Sequence, residues 1–205
     1  NMTVIEALIV EDNQALREAL ISGLHETGEV HAAGQASTGE QAVERGLAIM
    51  PDVVLMDVEL RGGQVNGIQA AIALSPRLSN VHYNYAQILE KKRLLPQAGE
   101  EYLKELEYSP RNFKASYNLS RVCRLLGQEE RELKYLKMTM EIAPDFPLSY
   151  FYLARIHLNS GENFEEAIAL VKKGIGLHPE PGELPFGYFL LADLYSRLGN
   201  SALSA

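Results

Sequence analysis

Acidic residues follow two apolar segments near the start of the sequence. Glu11 and Asp12 come directly after the mostly apolar residues 5–10, and Asp57 ends the apolar segment that begins at Val53. Short apolar runs of this kind are typical of buried strands. Because parallel strands present functional groups at their carboxyl ends, we expect these acids at one edge of a sheet. Their grouping indicates an acidic site of the type used in phosphate chemistry.

The segments between these strands have the features of helices. Asn13 can cap a helix in which three leucines fall on one face. A short second strand and a second helix follow, and that helix ends at Pro51. Asn66 and Gly67 lead into a third helix over residues 68–74. The order βαβαβα predicts a parallel sheet of three strands with the acids at the ends of adjacent strands.

This pattern resembles the receiver domain of bacterial response regulators, which has a flavodoxin-like fold. The matching motifs are Glu11-Asp12, residues 51–57 and the segment 59–68. The resemblance implies that Asp57 is the phosphoacceptor. It also implies that Asp12, Asp57 and the backbone carbonyl of Glu59 contact Mg²⁺, and that Glu11 acts through water. A hard divalent cation with oxygen ligands would relieve the repulsion among these carboxylates.

The resemblance ends near Leu74, after three of the five strands of a receiver domain. The missing fourth and fifth strands carry, in receiver domains, a Ser or Thr that hydrogen-bonds the phosphoryl group and an essential Lys. This sequence has no Lys before Lys91. We therefore expect a receiver-derived fragment without a working phosphorylation switch, whose acidic cluster holds Mg²⁺ or Ca²⁺ weakly. The alternative is a response regulator whose phosphorylation on Asp57 controls the second half of the chain.

Truncation leaves the third predicted strand without a neighbour on one side. The apolar segment 53–58 would then form an open sheet edge, which invites pairing with another chain. Two arrangements would protect it. Either the protein forms a homodimer through this edge, or the helices that follow in the sequence cover it.

The second part of the sequence repeats with a period of 34 residues. Pairs at this spacing include Pro110 and Pro144, Leu119 and Leu153, and Gly127 and Gly161. Each unit has the pattern of a helix, a tight turn, a second helix and a proline. The pattern resembles the tetratricopeptide repeat (TPR). We thus predict a truncated receiver-like module over residues 1–75 and an all-α TPR solenoid of about three and a half units over residues 76–205.

The first helices of such repeats line a concave groove, so we expect a protein or peptide segment as the partner. Aromatic residues interleaved with arginines suit a peptide with acidic groups, because arginine pairs with carboxylates and stacks on rings. The alternative is that the aromatic side chains pack between helices. The predicted groove residues are Tyr83, Gln87, Tyr117, Arg121, Arg124, Phe151, Arg155 and Phe189.

Composition excludes several classes of function. The 205-residue chain has a net charge of -8, which argues against binding to nucleic acid or anionic membranes. It has one cysteine and no apolar segment near the ~20 residues that a membrane helix needs. No glycine-rich phosphate loop, nucleophile elbow or zinc motif is present. These features predict a cytoplasmic interaction protein that is not an enzyme.

Residue usage changes abruptly between the two parts. All aromatic residues lie at or after Tyr83, and all lysines at or after Lys91. Such a change is typical of recombination or of a deliberate fusion of fragments from two parents. A designed or recombined chimera with no native function is therefore a third alternative, beside the interaction scaffold and the phosphorylated regulator.

Overall fold

A computed structural model describes residues 4–78 and 80–203 of the chain. The chain divides into two compact units, Asn1–Gln87 and Ile88–Ala205. This boundary between the units falls within a helix and lies later in the sequence than residues 75 and 76. The module boundary predicted at those residues stays a prediction. Among the described residues, no helix is long and apolar enough to span a membrane.

The first unit contains the predicted parallel sheet of three strands. Strands β1 (Ile5–Val10), β2 (Val30–Ala36) and β3 (Val53–Met56) lie in the order β2-β1-β3. Strand β1 is central, and its four residues from Ala7 to Val10 are at most 1% exposed. The sheet thus brings the acids that follow β1 and β3 to neighbouring positions, since both strands run in the same direction.

Three helices accompany the sheet, and each begins at a polar cap. Helix α1 (Gln14–Glu26) is capped by Asn13, α2 (Gly39–Ile49) by Thr38, and α3 (Gly67–Leu74) by Asn66. Each cap side chain accepts a hydrogen bond from a backbone N–H of the first turn, which satisfies a donor that the helix itself cannot. On one face of the sheet, α2 and α3 enclose a small apolar core formed by Leu8, Val10, Ala36, Ala42, Leu60 and Ala70.

The other face of the sheet is only partly covered. Helix α1 has no buried residue, and its Leu16 and Leu20 are 49% and 38% exposed. On β3, Val53 and Leu55 pair with Ala7 and Ile9 of β1, and both side chains are more than 40% exposed. Cover of this edge by the helices that follow, and the homodimer through the edge, both stay predictions.

In the described part of the chain after α3, all the regular secondary structure consists of helices. They are α4 (Val81–Lys91), α5 (Leu95–Tyr108), α6 (Phe113–Leu125), α7 (Glu129–Ile142), α8 (Pro147–Ser160), α9 (Phe164–Gly176) and α10 (Leu184–Leu203). Helix α4 crosses the unit boundary. The arrangement follows the predicted repeat of helix, tight turn and helix, and α10 stands as the first helix of a fourth repeat.

Left-handed residues make the turns between paired helices. Gly127 and Gly161 have φ of 70° and 76°, and Arg93, 34 residues before Gly127, has φ of 63°. Glycine adopts this conformation without a steric penalty, whereas arginine does so less readily. The first repeat therefore makes the same turn as the others despite lacking the usual glycine.

The second unit has a core that runs between successive helices. Its largest fully buried apolar side chains belong to Tyr102, Leu119, Leu136, Phe151, Leu190 and Leu194. Ala98 and Ala167, the small residues predicted at close approaches of the second helices, are both 0% exposed. Glu132 occupies the equivalent place in α7 and is only 4% exposed. The core thus contains a buried acid that requires a cationic partner.

Candidate functional sites

The acidic cluster of the first unit forms at the carboxyl ends of β1 and β3. Carboxylate oxygens of Glu11, Asp12 and Asp57 lie within 4.8 Å of one another. Glu11 is 8% exposed, and its Oε1 accepts a hydrogen bond from the Asn13 N–H at 2.9 Å. The cluster lines a cleft of about 640 Å³ together with Asn13, Leu16, Glu59 and Arg61.

Glu59 and Arg61 contact this cluster mainly through their backbones. The Glu59 N–H donates to Asp57 Oδ1 at 3.2 Å, and the Arg61 N–H donates to Asp12 Oδ2 at 3.1 Å. Among the described residues, the carboxylate of Glu59 is not part of the cluster of three acids. The Arg61 side chain is 92% exposed, and its Nε lies 4.0 Å from Asp12 Oδ2. An ion pair so exposed to solvent neutralises little of the negative charge.

The donor set of the cluster fits a hard divalent cation. Three carboxylates supply only oxygen ligands, which is the set that Mg²⁺ and Ca²⁺ prefer. Among the described residues that line the cleft, Arg61 is the only basic one, and no lysine is present. The site thus has ligands for a metal ion but no buried cation for a phosphoryl group.

A second cluster, on α6, α8 and α10 of the helical unit, combines aromatic rings with arginines. Tyr152 lies at its centre, with the guanidinium carbons of Arg124 and Arg155 at 5.1 and 5.6 Å from its ring centroid. The ring of Tyr117 is 6.1 Å away, and that of Phe186 is 5.2 Å away. Both distances are in the range of favourable aromatic pairs. We call Tyr117, Arg124, Tyr152, Arg155 and Phe186 the Tyr152 cluster.

Buried Glu132 holds two arginines of the Tyr152 cluster in place. Its Oε1 accepts a hydrogen bond from Arg155 Nη2 at 2.6 Å and lies 4.0 Å from Arg124 Nε. Burial raises the pKa of Glu132, although both arginines act in the opposite direction. Burial, with a smaller contribution from Tyr152, also raises the pKa of Tyr117, so its hydroxyl stays protonated.

Arg121, also a predicted groove residue, is held in a similar way. Its Nη2 donates to Glu90 Oε2 at 2.5 Å, and the Arg121 side chain is 41% exposed. The Glu90 side chain is 11% exposed and also accepts from the Tyr102 hydroxyl at 2.6 Å. Arg121, Arg124 and Arg155 are thus held by two glutamates whose side chains are 11% and 5% exposed, while the arginine side chains are themselves 41%, 28% and 22% exposed.

Two of the predicted aromatic groove residues, Phe151 and Phe189, differ in how far their side chains are exposed. Phe151 is 0% exposed and packs in the core with α9 and α10, so it cannot contact a peptide in a groove. The prediction is wrong for this residue, and the alternative of packing between helices applies. Phe189 is 65% exposed, but the ring that packs against Tyr152 is that of Phe186.

The remaining two predicted groove residues lie in the first unit. Gln87 Nε2 donates a hydrogen bond to the hydroxyl of Tyr83 at 3.0 Å. Both residues are on α4. Their role in a groove stays a prediction.

Tyr152 and Phe186 were not among the predicted groove residues. The predicted aromatic series followed Tyr117, Phe151 and Phe189, and of these three only Tyr117 belongs to the Tyr152 cluster. Phe151 instead packs against Gly174 of α9. Tyr152 directly follows Phe151 on α8, so its place in the sequence does not separate the two side chains.

Comparison with curated proteins gives relatives that contain response-regulator sequences. Protein-glutamate methylesterase/protein-glutamine glutaminase 2 of Methanosarcina acetivorans is 24% identical over 162 residues, which cover 68% of this chain and 46% of the relative. Response regulator GacA of Pseudomonas syringae is 33% identical over 67 residues, covering 33% of this chain and 30% of the relative. The chain spans less than half the length of these relatives. No protein-family profile matches it.

Solved structures with a similar fold include two helical-repeat proteins. MamA aligns with a TM-score of 0.56 at 16% identity, over 81% of this chain and 82% of that chain. YrrB, described as a TPR protein with an unusual peptide-binding site, aligns with a TM-score of 0.55 at 18% identity, over 90% of this chain and 76% of that chain. At these identities the likeness concerns the fold. The chain is therefore similar to response regulators in its first part and has the fold of TPR proteins in its helical repeats.

Proposed function

We propose that the helical unit is a protein-interaction scaffold that binds an extended peptide with acidic side chains at the Tyr152 cluster. The observation that carries the proposal is the partly exposed Tyr152 ring with two guanidinium groups beside it. A ring bordered by cations offers an apolar surface and hydrogen-bond donors at one place. Peptides with carboxylates next to apolar side chains match both properties.

The orientation of the arginines supports this proposal. Because Glu132 and Glu90 already hold the guanidinium groups, binding costs less side-chain entropy than it would with free arginines. The same glutamates cancel part of the positive charge, so the proposed affinity is moderate and falls with added salt. The likeness to YrrB adds a precedent for peptide binding on this fold. The proposal assigns no catalytic activity to either unit.

A peptide-display selection on the immobilised full-length chain tests this proposal. Enriched peptides are expected to contain Asp or Glu beside apolar residues. In titrations with one enriched peptide, Arg124→Ala and Tyr152→Ala should each weaken binding about 10-fold or more. Arg111→Ala and Tyr108→Ala change exposed side chains of the same types outside the cluster and serve as matched controls. Peptides without acidic residues, or equal losses in the controls, would contradict the proposal.

For the first unit, we propose a weak divalent-cation site without a phosphorylation switch. Glu11, Asp12 and Asp57 would hold the cation, which would relieve the repulsion among their carboxylates. The exposed Arg61 is a poor substitute for a buried cationic partner of a phosphoryl group. The specific observation that favours the alternative, a phosphorylated response regulator, is that Asp57 lies within the cluster.

Thermal unfolding separates these two interpretations. MgCl₂ should raise the melting temperature of the wild type, and Asp12→Asn should reduce that effect. Acetyl phosphate or beryllofluoride added with Mg²⁺ should produce no further increase. A further increase that Asp57→Ala abolishes would support the phosphorylated regulator and overturn the proposal of a switch-free site.

A further inference from the structure

Helix α1 is fastened to the sheet by polar contacts near its two ends. None of its residues is buried, so apolar packing contributes little to its position. In its first turn, Arg17 Nη1 donates to the backbone carbonyl of Glu11 at 2.6 Å, and Arg17 Nε donates to Gln35 Oε1 at 3.1 Å. In its last turn, the contact with the sheet is made by His25.

His25 accepts a hydrogen bond from the backbone of β2. The donor is the Ala32 N–H, which lies 3.0 Å from His25 Nε2. Strand β2 is at the edge of the described sheet, where N–H groups that point away from β1 have no strand to pair with. A ring nitrogen accepts a hydrogen bond only when it carries no proton. This bond, which we call the His25 contact, therefore requires a neutral ring with its proton on Nδ1.

A second histidine lies beside the His25 contact. The ring of His31 stacks on that of His25, with centroids 5.4 Å apart and planes inclined by 6°. Strands β1 and β2, which pack against α1, carry one titratable side chain each, Glu6 and His31, and Glu6 Oε2 lies 2.9 Å from His31 Nδ1. Glu26 and Glu29 are the neighbouring acids in the chain. Because the Glu6 carboxylate accepts a hydrogen bond from His31 in either charge state of that ring, only His25 must be neutral.

We propose that the His25 contact is a pH-sensitive switch that fastens the end of α1 to β2 near neutral pH and releases it in acid. A proton on Nε2 turns the acceptor into a donor, so that two N–H groups face each other and the bond is lost. Protonation of both stacked rings also places two positive charges about 5 Å apart, where they repel. Histidine is the side chain that ordinarily changes charge between pH 5 and 8.

The direction of the effect follows from the same geometry. Proton binding at Nε2 and formation of the His25 contact exclude each other, so acid shifts the equilibrium towards the released form. The ring is exposed to solvent, and the proton reaches it without unfolding of the unit. Release leaves the Ala32 N–H unpaired at the edge of the sheet, while Arg17 still holds the first turn of α1.

Amide hydrogen exchange measured by NMR on the full-length chain tests the proposal. Protection factors at pH 7.5 and pH 5.0 are compared, because they correct for the intrinsic effect of pH on exchange. The protection of Ala32 should fall about 10-fold at the lower pH, since it loses its hydrogen bond. Ile9, on the central strand, should keep its protection.

Two substitutions separate His25 from its neighbour. His25→Gln offers a side-chain oxygen as acceptor and does not titrate in this range, so the pH dependence at Ala32 should disappear. His31→Gln is the matched control, because it removes the stacked ring but not the acceptor, and most of the pH dependence should remain. A pH dependence that persists in His25→Gln would overturn the proposal.

Imidazole ¹⁵N chemical shifts of the wild type provide a readout that needs no substitution. At pH 7.5, His25 should carry its proton on Nδ1, and the titration of its ring should coincide with a shift of the Ala32 amide. A proton on Nε2 at pH 7.5 would contradict the proposal, and so would a ring that titrates while the Ala32 amide keeps its shift and its protection. These results do not depend on peptide binding at the Tyr152 cluster.

Discussion

The two units of the chain differ in how completely each covers its own apolar surface. In the helical unit, large side chains such as Leu119, Phe151 and Leu194 are fully buried. In the α/β unit, a core lies between the sheet and helices α2 and α3, whereas α1 buries no residue and Val53 and Leu55 are more than 40% exposed. At its last described helix, α10, the helical unit leaves Tyr188, Phe189 and Tyr195 between 48% and 65% exposed.

The difference follows from how the two architectures distribute their contacts. In a solenoid each repeat contacts only its neighbours, so an incomplete array is fully packed except at its ends. A parallel sheet needs helices on both faces and strands on both sides of its central strands. With three strands, β3 becomes an edge, and Val53 and Leu55 remain exposed. The sheet is therefore exposed along its edge strand β3, whereas a short solenoid exposes apolar side chains at its ends.

The largest effect is expected from Phe151→Ala in the helical unit. Removing a fully buried ring should lower the free energy of unfolding by about 3–5 kcal/mol. Phe189→Ala removes the same ring from the equivalent place in the next repeat, where it is 65% exposed, and should cost under about 1 kcal/mol in the monomer. Urea unfolding followed by tyrosine fluorescence reports on this unit, since the chain has no Trp and most Tyr lie there. Equal losses would show that packing does not distinguish the two positions.

A smaller loss, confined to the first unit, is expected from Gly67→Ala. A Cβ atom at this residue would lie 1.8 Å from the Asp57 carbonyl oxygen, so the backbone beside the acidic cluster must move. We expect a loss of about 1–3 kcal/mol and weaker Mg²⁺ binding. Gly23→Ala in α1 is the matched control, because nothing lies within 4 Å of its Cβ position. Tyrosine fluorescence reports mainly on the helical unit. If its urea midpoint fell as much as the midpoint measured by circular dichroism, the loss would not be confined to the first unit.

Glu132→Gln should produce a smaller, pH-dependent change in the helical unit. Burial raises the pKa of Glu132 above the ordinary value of a glutamate, 4.5, so folding favours the protonated carboxyl. The wild type should therefore lose stability relative to Glu132→Gln as pH rises from 4.5 through the raised pKa. Urea midpoints of both proteins across this range measure the difference. A difference that changes in the opposite direction would mean that Arg155 and Arg124 outweigh burial.

The smallest effect is expected from Leu55→Lys on β3. This side chain is 41% exposed, and a charged residue there should change the free energy of unfolding by no more than about 0.5 kcal/mol. Ile9→Ala, at its partner position on β1, removes a fully buried side chain and should cost several times more. A large loss with Leu55→Lys would indicate that the edge is covered in solution, as the predicted homodimer through residues 53–58 requires.

Regular patterns in the sequence were sufficient to predict most of the fold. The position of acids after apolar segments predicted that the carboxyl ends of β1 and β3 meet, because parallel strands place those ends together. The 34-residue period predicted the helix pairs, and even the unusual Arg93 takes the predicted turn. The origin of the chain as a chimera stays a prediction.

Side-chain partners were harder to predict than the elements that carry them. Glu132 departs from the small-residue pattern, and only its three-dimensional neighbours explain the departure, because it pairs with Arg155 of the next repeat. The sequence also could not separate the partly exposed Tyr152 from the buried Phe151, since these aromatic residues are adjacent on α8. Which side of a helix faces a groove depends on how successive repeats stack.

Hydrogen exchange across the full-length chain, measured by mass spectrometry, tests the contrast between the two units most directly. We predict that amides of α6, α7, α8 and α9 exchange only through global unfolding of their unit. Amides of α1 and β3 should exchange at least about 100-fold faster, through local opening of the partly covered sheet. Equal protection of α1, β3 and the repeat helices would contradict the claim that the helical unit is closed while the sheet is not.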